Sequence, residues 1–299
     1  MTKFTNFFKT ITCIICLTVQ MNMVSAQWPP IGIVGNGTAN YPWQITTITQ
    51  LGILATYVNA GNGSQTAGKY YKLMNDIDYN SSPVIGNLSG WSPIGNNPIS
   101  NTTFQGNFDG NGKKVLNIRI NRSATSYIGL FGYVSSAHIH NLGVEIDQEI
   151  KGDQSVGGLI GRADNSIIEN CYATGNVTGN SVVGGLVGLS SSSIIQNCYA
   201  ICNVKGSIVG GLAGINEGTI TTSFSCGYVT AIGNLTGGFV GINTSSIMDC
   251  YATVDVTGTS SYLGGFAGYS RAGIIAYCYA TGDITAIGGD NIGGLVGSE

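Results

Sequence analysis

The sequence predicts an all-β fold, a β-solenoid (β-helix) whose rungs are about 27 residues long, preceded by an N-terminal helical cap. Val, Ile and Thr are abundant and alternate with small or polar residues, which is typical of strands. Glycine, with 46 copies among 299 residues, interrupts the chain too often for long helices. A Gly-Leu-x-Gly or Gly-Phe-x-Gly motif recurs, with its first glycine at 129, 158, 185, 211, 238, 265 and 294.

The composition argues against partners that are recognised by charge. Only 12 Lys and Arg residues and 15 Asp and Glu residues occur, and the formal net charge is −3. The chain therefore lacks the basic surface that nucleic acid or an anionic membrane requires, and we predict no nucleic acid partner. Solubility depends instead on Ser, Thr and Asn side chains.

Residues 1–26 resemble a secretory signal peptide. Two lysines precede an apolar run from Ile11 to Val19, and Val24-Ser25-Ala26 forms a small-residue cleavage site. The apolar run is shorter than the roughly 20 residues that span a bilayer. We therefore predict cleavage near Ala26 and a secreted or cell-surface chain that begins at Gln27 and has no membrane span.

Two regions follow the signal peptide. Residues 27–68 are predicted to form an irregular arm and a capping helix, and residues 69–299 the solenoid, with regular repeats from about 128. Such a helix would cover the open edge of the first rung. Further strands are predicted at 69–79 and Val115–Ile120. The helix is predicted from the spacing of Leu51, Leu54, Ala55 and Val58, with Thr49 as its N-cap and Gly61 as its stop.

Two stretches approach metal-binding or phosphate-binding motifs but lack a residue that the chemistry needs. Residues 107–112 resemble the opening of an EF-hand loop, but Ile118 stands where a bidentate carboxylate is required. Gly63, Gly68 and Lys69 have phosphate-loop spacing, but Tyr70 replaces the Ser or Thr that would hold magnesium. We interpret both stretches as turns and predict neither a metal site nor a cofactor.

Alignment of the repeats assigns side chains to the two faces of the strands, because the side-chain period in a strand is two. We interpret the cysteines of the inward face as an unreactive core ladder, because no Cys-x-x-Cys is present. Cys202 and Cys226 lie outside this ladder in adjacent rungs, offset by one position, and a 202–226 disulfide is a hypothesis. The first inward column is Leu142, Cys171, Cys198, Ser223, Cys250 and Cys278, and the second is Val144, Ala173, Ala200, Ser225, Ala252 and Ala280.

Both histidines of the chain lie close together. His138 and His140 share a face, and with Glu145 and Asp147 nearby a surface metal site is conceivable. The alignment places Ile139 inward and turns both imidazoles to solvent. We prefer a solvated edge, because no closed set of four ligands can be assembled from adjacent positions.

One outward column is aromatic, and we refer to it as the aromatic row. It admits two interpretations. Mutual packing of the rings would stabilise the stack of rungs, which is the interpretation we prefer. The rings could also stack on sugar faces or on a protein partner, because rigid aromatic groups supply contact area at low entropic cost. The members of the row are Tyr172, Tyr199, Phe224, Tyr251 and Tyr279.

The repeats do not suggest catalysis. Between 155 and 299 the acidic residues occupy mostly unrelated columns, and only three basic residues occur. Asp255 and Asp283 share a column with Asn176. Because Asn and Asp are both common turn residues, a role in turns explains this column without catalysis. Paired carboxylates or a nucleophile with its base are missing, and we therefore predict that the chain is not an enzyme.

The repeats resemble a known family, the GLUG motif. Units such as Val183-Gly184-Gly185-Leu186-Val187-Gly188 followed by Ile195-Gln196-Asn197-Cys198-Tyr199-Ala200 carry the resemblance, which covers about 70–299. It implies a β-solenoid on bacterial secreted or surface proteins, similar to adhesin stalks and to the non-catalytic parts of immunoglobulin-cleaving peptidases. The sequence has no HExxH motif, so the resemblance does not extend to peptidase activity. Ser223-Phe224 in place of Cys-Tyr, and Cys202 in place of Gly, depart from the pattern.

These observations predict an exported, non-catalytic β-solenoid that serves as a surface-display, stalk or adhesion module. Its partner would be a host or cell-surface protein or a glycan. The first alternative is a carbohydrate-binding module that uses the aromatic row, and the second is a β-helix polysaccharide-active enzyme. The sequence stops inside a repeat at Glu299, from which we expect either a fragment or an uncapped edge that pairs with a partner.

Overall fold

Parallel strands wind around a common axis in this protein. The computed structural model describes residues 28–81, 88–99, 101–259, 261–288 and 290–299, and the predicted signal peptide lies outside them. The described chain forms a β-solenoid of about nine turns with one N-terminal α-helix, which confirms the predicted fold class.

The described residues contain 25 strands, and all pairings between them are parallel. The helix, α1 (Ile48–Tyr57), is followed by a π-helical turn at Val58–Asn62 and 3-10 turns at Gly63–Thr66 and Tyr79–Ser81. The strands are β1 (Trp43–Ile45), β2 (Tyr70–Leu73), β3 (Ile77–Asp78), β4 (Asn107–Asn121), β5 (Phe131–Ser135), β6 (His138–Lys151), β7 (Val156–Gly157), β8 (Ile160–Asp164), β9 (Ile167–Glu169), β10 (Tyr172–Thr178), β11 (Val182–Gly184), β12 (Val187–Gln196), β13 (Tyr199–Gly210), β14 (Ala213–Thr221), β15 (Phe224–Gly237), β16 (Val240–Asn243), β17 (Ser246–Met248), β18 (Tyr251–Gly258), β19 (Tyr262–Gly264), β20 (Ala267–Ser270), β21 (Ile274–Ala276), β22 (Tyr279–Ala280), β23 (Ile284–Ala286), β24 (Asn291–Gly293) and β25 (Val296–Ser298).

One inward column runs through the whole described solenoid with one member per turn. It begins with three aromatic residues and continues with isoleucines, and all but the last are buried. Strand pairing at about 4.8 Å brings each member directly onto the next. The core is therefore a continuous apolar stack. Its members are Trp43, Tyr71, Phe108, Ile139, Ile168, Ile195, Ile220, Ile247 and Ile275.

The corners of the rungs use residues in the left-handed region of φ, and most of these are not glycine. The corner before the cysteine column has φ values between 49° and 55°. Asparagine tolerates this conformation better than most residues, because its short polar side chain bonds locally. The corner residues are Asn141, Asn170, Asn197, Thr222, Asp249 and Tyr277.

The cysteine column is buried as predicted except at Cys278, which is half-buried, and it forms a hydrogen-bonded ladder. Cys171 Sγ donates to the carbonyl of Glu169 at 3.2 Å, and the Cys171 N–H donates to Cys198 Sγ at 3.4 Å. Ser223 takes the same role one rung later, since its Oγ accepts from the Cys198 N–H at 3.1 Å. Burial raises the pKa of the Cys171 thiol well above its usual value. These side chains therefore act as small core groups rather than as thiolates.

The hypothesis of a 202–226 disulfide is wrong. Cys202 pairs with Gly227, and Cys226 pairs with Ile201. An offset of one residue places two side chains on opposite faces of a strand. Cys202 is buried in the core and burial raises its pKa to about 12, whereas Cys226 points outward, and both thiols are free.

The N-terminal region departs from the predicted boundaries. Strand β1 lies in the predicted arm and pairs with β2, so the sheet begins at Trp43 rather than at 69. The N-cap of α1 is Thr47 rather than Thr49, because Thr47 Oγ1 accepts from the N–H of Gln50 at 3.3 Å. Gln50 Oε1 in turn accepts from the N–H of Thr46, the residue before the N-cap, at 2.7 Å. That α1 acts as a cap stays a prediction.

The strands predicted between 69 and 120 differ from those observed. The predicted strand at 69–79 is divided into β2 and β3, and Val115–Ile120 is only the second half of β4. The Gly- and Asn-rich residues 107–112 belong to β4, because Asn111 and Gly112 bend the strand with positive φ without ending it.

Candidate binding face

The outer surface of β10, β13, β15, β18, β22 and β23 carries regular columns of aromatic and small polar side chains, and we refer to it as the outer face. The strand register confirms the outward positions that the repeat alignment predicted. Beside the aromatic row lie three further columns. They contain Thr174, Ile201, Cys226 and Thr253; then Asn176, Asn203, Tyr228 and Asp255; then Thr178, Lys205, Thr230, Thr257 and Thr285.

The aromatic row is a continuous stack of nearly parallel rings. Tyr172, Tyr199 and Phe224 have successive ring centroids 4.9 Å apart, and the rings are within 5° of parallel. Phe224 and Tyr251 are 5.0 Å apart, and Tyr251 and Tyr279 are 5.2 Å apart. Rung spacing fixes this distance, because each ring extends from the same position of a strand in the parallel ladder.

Stacking covers the ring faces inside the row. Both faces of Tyr199, Phe224 and Tyr251 are against neighbouring rings. The first ring lies over Gly143, where an added Cβ would be 2.3 Å from Cζ of Tyr172. Between its ends the row therefore presents ring edges and phenol hydroxyls to a ligand rather than open ring faces, whereas the end ring Tyr279 stacks on Tyr251 alone and is exposed.

Tyr172 and Tyr199 keep their phenol protons at neutral pH. Burial, followed by the negative charge of Glu145, raises the pKa of Tyr172 and of Tyr199. Tyr172 Oη lies 3.3 Å from Glu145 Oε1, which also pairs with Lys114 Nζ at 2.8 Å. The Tyr172 hydroxyl therefore donates to Glu145, and the Tyr199 hydroxyl is the next protonated donor along the row.

The column next to the threonines contains amides and carboxylates that bond from rung to rung. Asn203 Nδ2 donates to Asn176 Oδ1 at 3.0 Å. Asp255 Oδ1 accepts from the backbone N–H of Asp283 at 2.9 Å. These bonds hold the column in a fixed geometry while leaving further donor and acceptor sites toward solvent.

A polar groove lies where the outer face continues onto β4 and β6. Its cavity volume is about 760 Å³. It was missed in the sequence, because β4 and β6 are irregular in register and do not align with the repeats. The only available signal was the presence of basic residues near 120 and 150. Its lining includes Arg119, Asn121, Gln148, Glu149, Lys151 and Asn176.

The histidine pair has other neighbours than the sequence suggested. Ile139 is buried as predicted, and the rings of His138 and His140 stack at 4.4 Å. His138 Nε2 is 3.6 Å from Glu169 Oε2, and His140 Nδ1 is 3.6 Å from Asp109 Oδ1.

Glu145 and Asp147 were the wrong neighbours for these histidines, because the partners come from the rungs before and after. The two imidazole side chains are also only 33% and 22% exposed, so they are less solvated than we expected. Across the described ranges no three His, Cys, Asp or Glu side chains converge as metal ligands would.

Comparison with known proteins identifies the repeat. The GLUG motif matches residues 152–178, 232–257 and 259–285. The chain contains GLUG repeats. This confirms the resemblance on which the fold prediction was based, and each match spans about one rung of the solenoid.

Two curated relatives are similar to about half of the chain. "Halomucin" from Haloquadratum walsbyi is 35% identical over 146 residues, which is 48% of this chain and 2% of that protein. The "Putative Gly-rich membrane protein" from Evansella cellulosilytica is 30% identical over 138 residues, which is 46% of this chain and 15% of that protein. The chain therefore spans only a small part of each relative. No helix among the described residues is both long and apolar enough to cross a membrane.

Two solved structures share the fold of this GLUG-repeat chain. One is a "putative immunoglobulin A1 protease" from Bacteroides ovatus, with a TM-score of 0.64 and 21% identity over 87% of this chain and 86% of that one. The other, "IgA1 Protease", has a TM-score of 0.57 and 15% identity over 84% of this chain and 20% of that one.

These two structures contradict our prediction that the chain is not an enzyme. Both are named as proteases, so this solenoid occurs in proteins assigned to an enzyme family. The prediction was based on the scarcity of clustered charge in the repeats. That scarcity is a property of the repeats alone, and a fold does not determine which activity a protein carries.

Proposed function

We propose that this GLUG-repeat solenoid is exported after cleavage near Ala26 and acts as a surface-exposed adhesion and display module. Its relatives include a halomucin and a Gly-rich membrane protein, whose names fit a surface location. The parallel ladder of about nine turns makes a rigid, extended body, which suits a spacer or display role.

We further propose that the ligand of this module is a glycan, bound along the outer face. The observation that carries this proposal is the repetition of uncharged hydrogen-bonding groups in register: tyrosine hydroxyls, threonine hydroxyls and asparagine amides at rung spacing. A saccharide chain presents hydroxyl groups at regular intervals, and a fixed array of donors and acceptors can match them without any rearrangement.

Because the rings of the aromatic row stack on one another, alanine variants of its tyrosines are not suitable tests of this proposal. Replacing a tyrosine by alanine would remove a ring from the stack and disturb the solenoid itself. Phe224 already shows that the stack accommodates a ring without a hydroxyl. Tyr199→Phe combined with Tyr251→Phe therefore removes two donors and keeps the stack, and Asn203→Ala removes an outward amide.

The test is glycan-array binding of the chain from Gln27, followed by calorimetry on the best glycan. We expect the Tyr199→Phe, Tyr251→Phe, Asn203→Ala triple variant to bind at least tenfold more weakly, with unchanged circular dichroism. Thr219→Ala with Thr221→Ala, on β14 away from the outer face, is the control and should bind like the wild type. Equal binding by the triple variant, or no glycan bound by the wild type, would remove the proposal.

A further inference from the structure

The polar groove at the start of the outer face has the chemistry of an acid-recognition site. Arg119 and Asn121 extend from β4, and Glu149 and Lys151 from β6. Asn121 pairs with Lys151, which pairs with Thr178 of the outer face. The groove therefore continues the columns of the outer face by two strands, and a ligand lying along that face reaches it directly.

Neither cation of the groove has a carboxylate within ion-pair distance in the described part of the chain. Within the described ranges neither Arg119 nor Lys151 forms an ion pair, whereas Lys72, Lys114 and Arg162 each bind a carboxylate. Arg119 is instead held over the ring of Tyr79, with its guanidinium carbon 5.7 Å from the ring centroid. A positioned guanidinium beside an ammonium favours a carboxylate as its partner, because charge-assisted bonds to such groups are the strong ones.

The other lining groups indicate what surrounds that carboxylate in the ligand. Asn121, Gln148 and Asn176 supply amide donors and acceptors, and Glu149 adds an acceptor-only carboxylate. Hydroxyl groups are the natural partners of such a mixture. A volume of about 760 Å³ accommodates a ligand larger than a single sugar ring. A single pair of cations beside an acidic residue does not suit nucleic acid, which requires many phosphate contacts.

We propose that this groove binds a uronic acid residue of an acidic glycan, with Arg119 and Lys151 holding the carboxylate and the three amides holding ring hydroxyls. The inference rests on the proposed glycan binding for its ligand class, and it adds the acidic residue and its place. The groove is then the subsite that selects the ligand and sets which end of the chain lies over the first rungs.

The test uses calorimetry with the chain from Gln27 and two matched pairs of probes. They are a hyaluronan tetrasaccharide and trigalacturonic acid, each alongside its carboxyl-reduced form. We expect at least one acidic probe to bind ten times more tightly than its reduced form, with a preference that weakens as salt increases. Arg119→Gln and Lys151→Gln should each abolish the preference. Arg119→Lys should retain part of it, which separates loss of charge from loss of packing on Tyr79.

Lys69→Gln is the matched control, because Lys69 is an exposed lysine that precedes β2 and lies outside both the groove lining and the outer face. It should keep the full preference. Equal binding of acidic and reduced probes by the wild type would overturn the inference, and so would a preference that survives in Lys151→Gln. Displacement of the acidic probe by millimolar sulfate alone would also overturn it, since any anion would then suffice.

The outcomes separate this inference from the proposed glycan-binding face. If neutral glycans bind and Tyr199→Phe with Tyr251→Phe weakens them, but no acidic preference exists, the face stands and the groove assignment fails. If the acidic preference depends on Arg119 and Lys151 while the outer-face variants change nothing, the groove stands and the extended face fails.

Discussion

At the residue scale, the glycines of the repeat motif are required by contact between neighbouring rungs. An added Cβ on Gly185 would lie 2.2 Å from the carbonyl oxygen of Gly211, and one on Gly211 would lie 2.1 Å from that of Gly238. Neither position has a positive φ. Close approach of backbones, rather than a special turn conformation, therefore explains why glycine recurs at these positions.

This contact predicts the effect of a single methyl group. Gly211→Ala should lower the free energy of unfolding by about 1–3 kcal/mol, because the clashing atom is backbone and cannot rotate away. Gly294 occupies the same motif position, but nothing lies within 4 Å of its Cβ direction, so Gly294→Ala should change stability little. Guanidinium denaturation of both variants measures the difference. Equal effects would show that close approach is not the cause.

Folding stability should also depend on pH, through individual residues of the histidine cluster. His140 is faced by Asp109, Glu169, His138 and, further away, Lys72. Burial lowers the pKa of His140 below 6.5, although the charge of Asp109 partly opposes this. For Asp109, burial raises the pKa, but hydrogen bonds from Lys72, the Asn111 backbone and Asn141, together with the charge of His140, outweigh it and lower the pKa.

These directions predict how stability depends on pH. His140 takes its proton more readily in the unfolded chain, so stability should fall as pH decreases from about 6.5 toward the folded pKa of His140. His140→Gln should flatten the stability curve in this window, and Asp109→Asn should steepen it by removing the charge that favours the imidazolium. Denaturation midpoints between pH 8 and pH 4.5 provide the measurement. A wild-type midpoint that does not change below pH 6.5 would contradict this account.

At the element scale, the aromatic row stabilises the contact between strands β10 to β22. Each ring pair at about 5 Å adds roughly 0.5–1.5 kcal/mol beyond its buried area. An interior ring takes part in two such pairs, and an end ring in one. The row therefore makes the stability of each rung depend on its neighbours, as expected for a one-dimensional array.

Because interior and end rings differ in their number of stacking pairs, two alanine substitutions in the aromatic row should lower the free energy of unfolding by different amounts. Phe224→Ala breaks the pairs with Tyr199 and Tyr251, and should cost about 1–3 kcal/mol in stacking. Tyr279→Ala breaks only the pair with Tyr251, and should cost about half as much. Chemical denaturation gives both values, and Tyr199→Phe serves as a control that keeps the stack. Similar costs for the two alanine variants would mean that stacking contributes little.

At the scale of the whole molecule, the solenoid is built from interchangeable rungs. Deleting residues 211–237 joins Gly210 to Gly238 and keeps every column of the GLUG repeat in phase. The shortened chain should fold with the same circular dichroism and a cooperative melt, and should be shorter by about 4.8 Å. Deleting only 211–223 puts strands out of phase and should prevent folding. Retained structure in that half-rung deletion would contradict the assigned rung boundaries.

The regular part of the fold could be predicted residue by residue, whereas the first rungs could not. A step of 26 to 29 residues and a period of two placed Cys171, Ala173 and Ile139 inside, and also showed that Cys202 and Cys226 are out of phase. No such step precedes residue 128, so the pairing of β1 with β2 and the bends inside β4 depend on packing. The groove around Arg119 and Lys151 lies in this irregular part, and for that reason the sequence did not reveal it.

The sequence by itself determined the fold class, the GLUG rung and the face on which most repeated side chains lie, because similar units stacked in parallel bring equivalent positions into register. Only the tertiary structure decided which side chains of different rungs meet. It covered the faces of the interior rings of the aromatic row, placed Asp109 and Glu169 against the histidines, and placed Arg119 and Lys151 in one groove beside the outer face. These contacts depend on distances across irregular turns, which the spacing of residues along a chain does not specify.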